Sequence, residues 1–162
     1  MQFIIKDSAN LILTPLVGGG SPITIDYLNT FSMKTESDKL TAKAKGVDAM
    51  VIYGSKTCTF ELGSDLLSKE QMAMLLGGEL EGTKITVKED VSVPYYSLSG
   101  LFTIKYTDGS EEVQTLTAGK VCAEPNGELA TSASDISSHT LTMNILATDG
   151  VLFEIDKKPA VF

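Results

Sequence analysis

Two kinds of hydrophobic pattern occur along the chain, and each predicts a different secondary structure. Most of the sequence consists of short runs in which apolar and polar residues alternate, the pattern of a strand with one covered face. The clearest of these runs are residues 58–62, 102–106 and 141–145. Threonines fill many of the alternate positions, and their β-branched side chains suit a pleated sheet. These runs predict a chain built mainly from β-strands.

One short segment has the features of a helix instead. Ser68 and Gln71 have the spacing of a capping box, in which each side chain accepts a hydrogen bond from the other residue's backbone N–H. Gly77 and Gly78 then supply the residue type that commonly ends a helix. We therefore expect one short α-helix from about Ser68 to Leu76. The side chains expected to pack it against the sheet are Leu67, Met72, Leu75 and Leu76, and Met74 is expected to be core filler together with Met72.

Turn sequences separate the predicted strands. Asp108-Gly109 and Asp149-Gly150 are strong signals for hairpin turns. The predicted fold class is therefore mainly β: an antiparallel β-sandwich or barrel of about eight to ten strands with one short flanking helix. A chain of 162 residues is long enough to bury a core, and we expect residues 1–162 to form a single domain.

The segment from residue 36 to residue 50 departs from the alternating pattern. It is polar and rich in lysine, and it contains Gly46 and few apolar anchors. It could continue a strand, but we expect a long exposed loop or hairpin. Polar segments of this length between strands often make contacts, so this one is a candidate contact surface. The interface residues expected there are Lys39, Lys43, Lys45, Val47 and Asp48.

The charge of the chain narrows the classes of partner. The sequence has 13 lysines, no arginine and 21 acidic residues, for a net charge of -8. Arginine is the usual residue for bidentate recognition of phosphates and bases, so its absence counts against sequence-specific nucleic-acid binding. No apolar run has the length of a membrane span, and we expect no membrane partner. Residues 1–5 lack a basic region and a cleavage site, so we expect no signal peptide and synthesis in the cytosol.

Candidate catalytic and metal-binding residues are sparse. Cys58 and Cys122 have apolar neighbours and are expected to be buried thiols rather than ligands or a disulfide. His139, the only histidine, lies in a serine-rich segment without a nucleophile elbow and is expected to be solvated. Carboxylates bracket the predicted helix as two acids flank a glycosidase cleft, but the chain has no tryptophan to line such a cleft. We predict no catalytic residue, no metal ligand, no cofactor and no enzymatic function.

Three segments together resemble the major tail proteins of phages, the tail tube family. The first is Ile25-Asp26-Tyr27-Leu28, which leads into a strand and a polar stretch containing Ala44-Lys45-Gly46. The second is the turn and strand of residues 53–61, which resembles the family's gly-x-lys-x-x-x-leu/phe element. The third is the helical segment of residues 64–78. The resemblance covers residues 23–78 and extends to the rest of the chain only as β-rich sequence.

The resemblance implies a structural protein of the virion. Copies would form rings, expected to be hexameric, that stack into a hollow tube for DNA ejection. The implied partners are the chain itself, other tail proteins and DNA that passes without specific binding, and the implied location is the virion tail after synthesis in the host cytoplasm. An acidic lumen would suit this role, because contacts with phosphates would hold the DNA. Neighbouring sheets would pair edge to edge into a closed barrel, and residues 36–50 would become ordered on reaching the adjacent subunit or ring.

Two other functions remain open from the sequence. A head decoration or tail terminator subunit would share the β-rich fold but would form trimers or single rings instead of stacked rings. A carbohydrate-binding or adhesin-like β-sandwich would need exposed aromatic residues on one sheet face, for which only Tyr95, Tyr96 and Tyr106 are available.

Overall fold

Ten β-strands and one α-helix make up the part of the chain that the computed structural model describes, residues 2–25, 28–131 and 133–157, without the side chains of Ser8 and Ala9. Asp26 and Tyr27 of the first family-like segment lie outside the described residues. In chain order the elements are β1 (Phe3–Pro15), β2 (Ile23–Ile25), β3 (Thr30–Ala44), β4 (Val47–Ser64), α1 (Lys69–Leu76), β5 (Glu79–Glu81), β6 (Lys84–Thr86), β7 (Tyr95–Tyr106), β8 (Glu111–Ala123), β9 (His139–Leu146) and β10 (Glu154–Lys157).

Eight of the strands form one antiparallel sheet. Its order is β2-β1-β7-β8-β9-β4-β3, and β10 also pairs with β8. Strands β9 and β10 occupy successive stretches along β8, because β10 pairs with residues 114–117 and β9 with residues 120–123. Strands β2 and β3 lie at the two ends of this strand order and do not pair with each other, so the described sheet is not a closed barrel. The prediction of a mainly antiparallel β fold with one short helix is confirmed, in its sandwich-like form.

One hydrophobic core lies between the two halves of this sheet. Strands β1, β7 and β8 contribute one wall, and β4 and β9 contribute the other. Leu13, Val121 and Met143 are completely buried, and Phe60 is only 1% exposed. These inward side chains occupy alternate positions along β1, β4, β7 and β9, as the period-two pattern predicts. In β8 a register shift between Ala118 and Val121 moves the inward positions by one residue.

Helix α1 begins and ends with the caps expected from the sequence. The Ser68 hydroxyl accepts a hydrogen bond from the Gln71 N–H at 3.2 Å, and the Gln71 side-chain oxygen accepts one from the Ser68 N–H at 2.9 Å. Gly77 closes the helix in the left-handed region with φ of 66°. The Gly127 N–H then donates to the Leu75 carbonyl at 3.0 Å, which fixes the end of the helix against the turn after β8.

The packing face of α1 differs in part from the expected set. Leu75 is buried, Leu67 is half-buried against the core, and Met72 and Leu76 are only half-buried. The buried side chains of the helix are Gln71, Ala73, Met74 and Leu75. Positions 71, 74 and 75 have the i, i+3, i+4 spacing of one helix face, and Met72 lies off that face. Met74 is therefore buried, whereas Met72, which we expected to be core filler and to pack the helix against the sheet, is only half-buried.

Candidate assembly interface

Strands β3 and β4 form a long antiparallel hairpin whose outer part extends beyond the core. We call residues 34–57 the ribbon. Every residue of the ribbon is exposed or half-exposed, whereas β4 becomes buried from Cys58 onward. The prediction for residues 36–50 of a long exposed loop or hairpin is resolved in favour of the hairpin.

The turn at Lys45 and Gly46 explains why this polar segment forms paired strands. Both residues have positive φ, 52° and 80°. Positive φ at both central residues is the requirement of a type I′ turn, whose twist matches that of the flanking strands. The ribbon is therefore already formed in the single chain, and the expectation that the segment becomes ordered only on assembly is corrected.

One face of the ribbon tip is entirely apolar. Residues directly opposite each other in an antiparallel pair lie on the same face of the sheet. Three such pairs, Leu40 with Ile52, Ala42 with Met50 and Ala44 with Val47, form this apolar face. A register shift that skips one residue of β4 beside Met50 keeps Val47 on the same side. The four large side chains of this face, Leu40, Val47, Met50 and Ile52, are 55–70% exposed.

The apolar face lies on the side of the sheet opposite the core. At the base of the hairpin, Met33 opposite Phe60 points toward the core. Every second residue of β3 lies on the same face, so Lys39 and Thr41 share the face of Met33. Leu40 and the rest of the apolar face therefore lie on the opposite face of the ribbon. The face that is apolar at the base of the hairpin is thus polar at the tip, and the opposite face is apolar at the tip. The apolar face is therefore exposed to solvent in the single chain, and exposed apolar patches of this kind often mark interaction surfaces.

All five residues predicted at the interface lie on the ribbon. Lys43 and Asp48 stand opposite each other, Lys39 shares their face, Lys45 lies in the turn, and Val47 belongs to the apolar face. The sequence analysis did not single out Leu40, Met50 and Ile52 as exposed apolar residues. The alternation of Leu40, Ala42 and Ala44 could have revealed them.

The ribbon differs in charge from the rest of the chain. It contains five lysines and three acidic residues, which gives it a net charge of +2. The remaining sequence contains eight lysines and eighteen acidic residues, for a net charge of -10. The ribbon is therefore a basic, apolar projection from an acidic body.

The sheet also has unpaired edges in the described residues. Strand β3 is paired on one side only, along its whole length from Thr30 to Ala44. Strand β1 pairs with β2 only at residues 11–13, which leaves one edge open over residues 3–10. Open edges present backbone N–H and C=O groups that can pair with another chain.

The described residues contain no group of three or more His, Cys, Asp or Glu side chains that could hold a metal ion. Cys58 and Cys122 are free thiols, and burial raises the pKa of both. His139 is not solvated as predicted: it is half-buried, and its Nδ1 atom is buried without a hydrogen-bond partner among the described residues. The period of two that places Leu141 and Met143 in the core also turns His139 inward.

The three tyrosines considered for carbohydrate binding do not form a shared platform. Tyr96 is buried in the core. Tyr95 is exposed, but the Lys120 ammonium lies 4.2 Å from the centre of its ring. Tyr106 packs edge-on against Phe3, with ring centres 6.0 Å apart. The arrangement offers no flat aromatic surface to a sugar in this part of the described sheet.

Within the described residues, no helix is both long and apolar enough to cross a membrane. The sequence matches no protein-family model, and it matches no curated protein. The description of the protein therefore comes from its fold and its surface: it is a sandwich-like β protein with a projecting amphipathic ribbon.

Proposed function

We propose that the protein is the major tail subunit of a phage, which assembles with copies of itself into rings, six-membered by analogy with the family it resembles, that stack into a hollow tube for DNA ejection. The observation that carries the proposal is the ribbon. An isolated two-stranded hairpin is marginally stable in water, and one with a large exposed apolar face is more stable when a partner covers that face.

The open edges of β1 and β3 support the same proposal. They lie at opposite ends of the strand order, so one copy can present β3 to the β1 edge of the next. A contact between two different surfaces of the same chain is heterologous, and it generates a ring when the rotation closes. Such pairing would also remove the free edges that otherwise invite aggregation.

The charge of the chain suits a conduit for DNA. The body carries most of the negative charge, and there is no arginine in the sequence. A lumen of this sign would let the phosphate backbone pass without binding, because each phosphate contact adds affinity that depends on salt. Other tail proteins would cap the two ends of the tube in the virion.

Electron microscopy and sedimentation velocity of the purified full chain over a range of concentrations test the proposal. We expect rings that stack into tubes. Trimers or single rings that never stack would indicate a decoration or terminator subunit instead. A chain that stays monomeric at every concentration would contradict the proposal.

A matched pair of variants tests the role of the ribbon in this assembly. Met50→Glu with Ile52→Glu places two charges on the apolar face, and we expect it to abolish tubes. Thr41→Gln with Val51→Gln alters the opposite face of the ribbon without adding charge beside Lys43, and we expect tubes to persist. Normal tubes from the first variant would show that the apolar face is not the assembly surface.

A further inference from the structure

A cleft beside α1 has no role in the fold described so far. It lies between the helix, strand β5 and residues 92–94, with a volume of about 540 Å³. Met74, Leu80 and Tyr96 contribute apolar surface to its walls, and Glu70 and Glu79 also line it. These two glutamates are the charged residues among those that line the cleft in the described chain. We call this site the acidic cleft.

The acidic cleft lies in a part of the chain with an excess of negative charge. Residues 61–93 contain seven acidic residues and three lysines. Hydrogen bonds from the backbone N–H of Glu70 and from the Ser68 hydroxyl lower the pKa of the Glu70 carboxyl, which therefore stays ionised at neutral pH. Glu79 pairs with Lys88 at 2.7 Å, but both side chains are more than half exposed. An exposed ion pair of this kind can exchange partners at little cost.

The ribbon has the complementary properties. Its tip presents the exposed apolar side chains of Leu40 and Val47 on one face, Lys43 on the opposite face, and Lys45 in the turn between the two strands. The ribbon carries net positive charge, whereas the charged residues that line the cleft are negative. Both surfaces also contain apolar side chains.

A subunit cannot fill its own cleft with its own ribbon. Strand β4 runs from the ribbon tip at Val47 to Ser64, four residues before the cap of α1. Its 18 residues span about 55 Å at the usual rise of a strand. The tip and the acidic cleft therefore lie at opposite ends of the subunit. Each copy has one basic tip and one acidic cleft, which is the arrangement of a head-to-tail contact.

We infer that the ribbon tip of one copy binds in the acidic cleft of another, with Lys43 and Lys45 facing Glu70 and Glu79. The inference rests on the proposed self-assembly and names a contact between copies in addition to the pairing of β3 with β1. Because donor and acceptor differ, a bound copy leaves its own tip and cleft free for further copies.

Charge reversal with rescue tests the inference on the full chain. Lys43→Glu with Lys45→Glu, and separately Glu70→Lys with Glu79→Lys, should each weaken self-association by at least about tenfold in sedimentation velocity. Combining the four substitutions restores opposite charges, and we expect association to return to within about threefold of wild type. Lys105→Glu with Lys157→Glu is the control for the lysine reversal, since it changes the net charge of the chain by the same amount on other strands.

The outcomes separate this inference from the proposed function. Tubes from the wild type, together with unchanged association of both reversed variants or no recovery in the combined variant, would overturn the acidic cleft as the acceptor and leave tube assembly intact. A wild type that never associates would overturn both. Circular dichroism checks folding, and Glu70→Gln with Glu79→Gln replaces the reversed pair if that variant does not fold.

A direct measurement uses the unmodified sequence. Carbodiimide joins a lysine amine to a carboxylate only when the two are in contact. A mixture of isotope-labelled and unlabelled protein should give mixed-label cross-links between the peptides of residues 43–45 and residues 70–79. Cross-links of the tip to other carboxylates alone would overturn the assignment.

Discussion

Strand β4 contains two regions with opposite physical roles. From Cys58 to Ser64 its inward side chains are buried between β3 and β9. From Val47 to Thr57 it pairs with β3 alone, and both faces are open to solvent. The backbone hydrogen bonding to β3 continues through both regions, so pairing alone does not distinguish them. The free energy of unfolding comes from the covered region, and the open region is available for binding.

The largest expected difference in the free energy of unfolding between the two regions of β4 comes from truncating one large side chain in each. Phe60→Ala leaves a cavity in the core, and we expect a loss of about 3–5 kcal/mol in the free energy of unfolding. Ile52→Ala removes a side chain that is 55% exposed, and we expect a change within about 0.5 kcal/mol. Urea denaturation of the monomer measures both. Equal losses would show that the ribbon is part of the core.

A smaller effect is expected when a methyl group is added to a glycine in each region. A Cβ atom at Gly127 would overlap the Leu75 carbonyl and side chain, so Gly127→Ala should cost about 1–3 kcal/mol. At Gly54, in the ribbon, the nearest atom would be the Asp38 Cβ at an ordinary 3.5 Å, so Gly54→Ala should change stability by less than about 0.5 kcal/mol. Thermal unfolding compares the two. A neutral Gly127→Ala would mean that the helix end moves away freely.

The smallest effect is expected at the helix cap, which belongs to the covered region but lies at its surface. Ser68→Ala removes one half of the capping box and should cost about 1 kcal/mol. Ser32→Ala, at an exposed position of β3, is the control and should change stability by less than about 0.5 kcal/mol.

The Ser68→Ala variant should also change the pKa of the neighbouring Glu70 carboxyl. The pKa of Glu70 is lowered in the folded state by its own backbone N–H and then by the Ser68 hydroxyl. This stabilisation is present above the ordinary pKa of the carboxyl and is lost as the pH falls through the lowered value. In Ser68→Ala we expect the pKa of Glu70, followed by NMR titration, to rise toward its ordinary value. An unchanged pKa would show that the hydroxyl does not contribute.

Local signals in the sequence predicted the local features of the fold. The capping box at Ser68 and Gln71 and the turn at Asp108-Gly109 involve residues within a few positions of each other. Gly109 has φ of 88°, and the backbone N–H of Ser110 donates to the Asp108 carboxylate at 2.9 Å. Such contacts need no knowledge of the rest of the chain, so propensity and spacing are sufficient to identify them.

The long-range pairing could not be predicted in the same way. Nothing in β1 specifies that it pairs with β7, more than 80 residues away, because many alternating strands could offer the same face. The ribbon was hidden for a different reason. Its apolar residues lie on the face opposite the core, and register shifts near Ala42 and Ser37 interrupt the period along β4. An analysis of the sequence that expects all apolar residues of a strand on one face therefore predicts a polar, irregular segment here.

The turn at Lys45 and Gly46 has a consequence for how tightly copies could hold each other. A segment that folds only on binding loses conformational entropy at that moment, and its affinity is low for the area it buries. The ribbon is preorganised, because the turn and the paired strands exist before any encounter. In the proposed assembly, more of the apolar area that the ribbon would bury contributes to the lifetime of the contact. A small interface formed by such a rigid arm can persist long enough for the next copy to arrive.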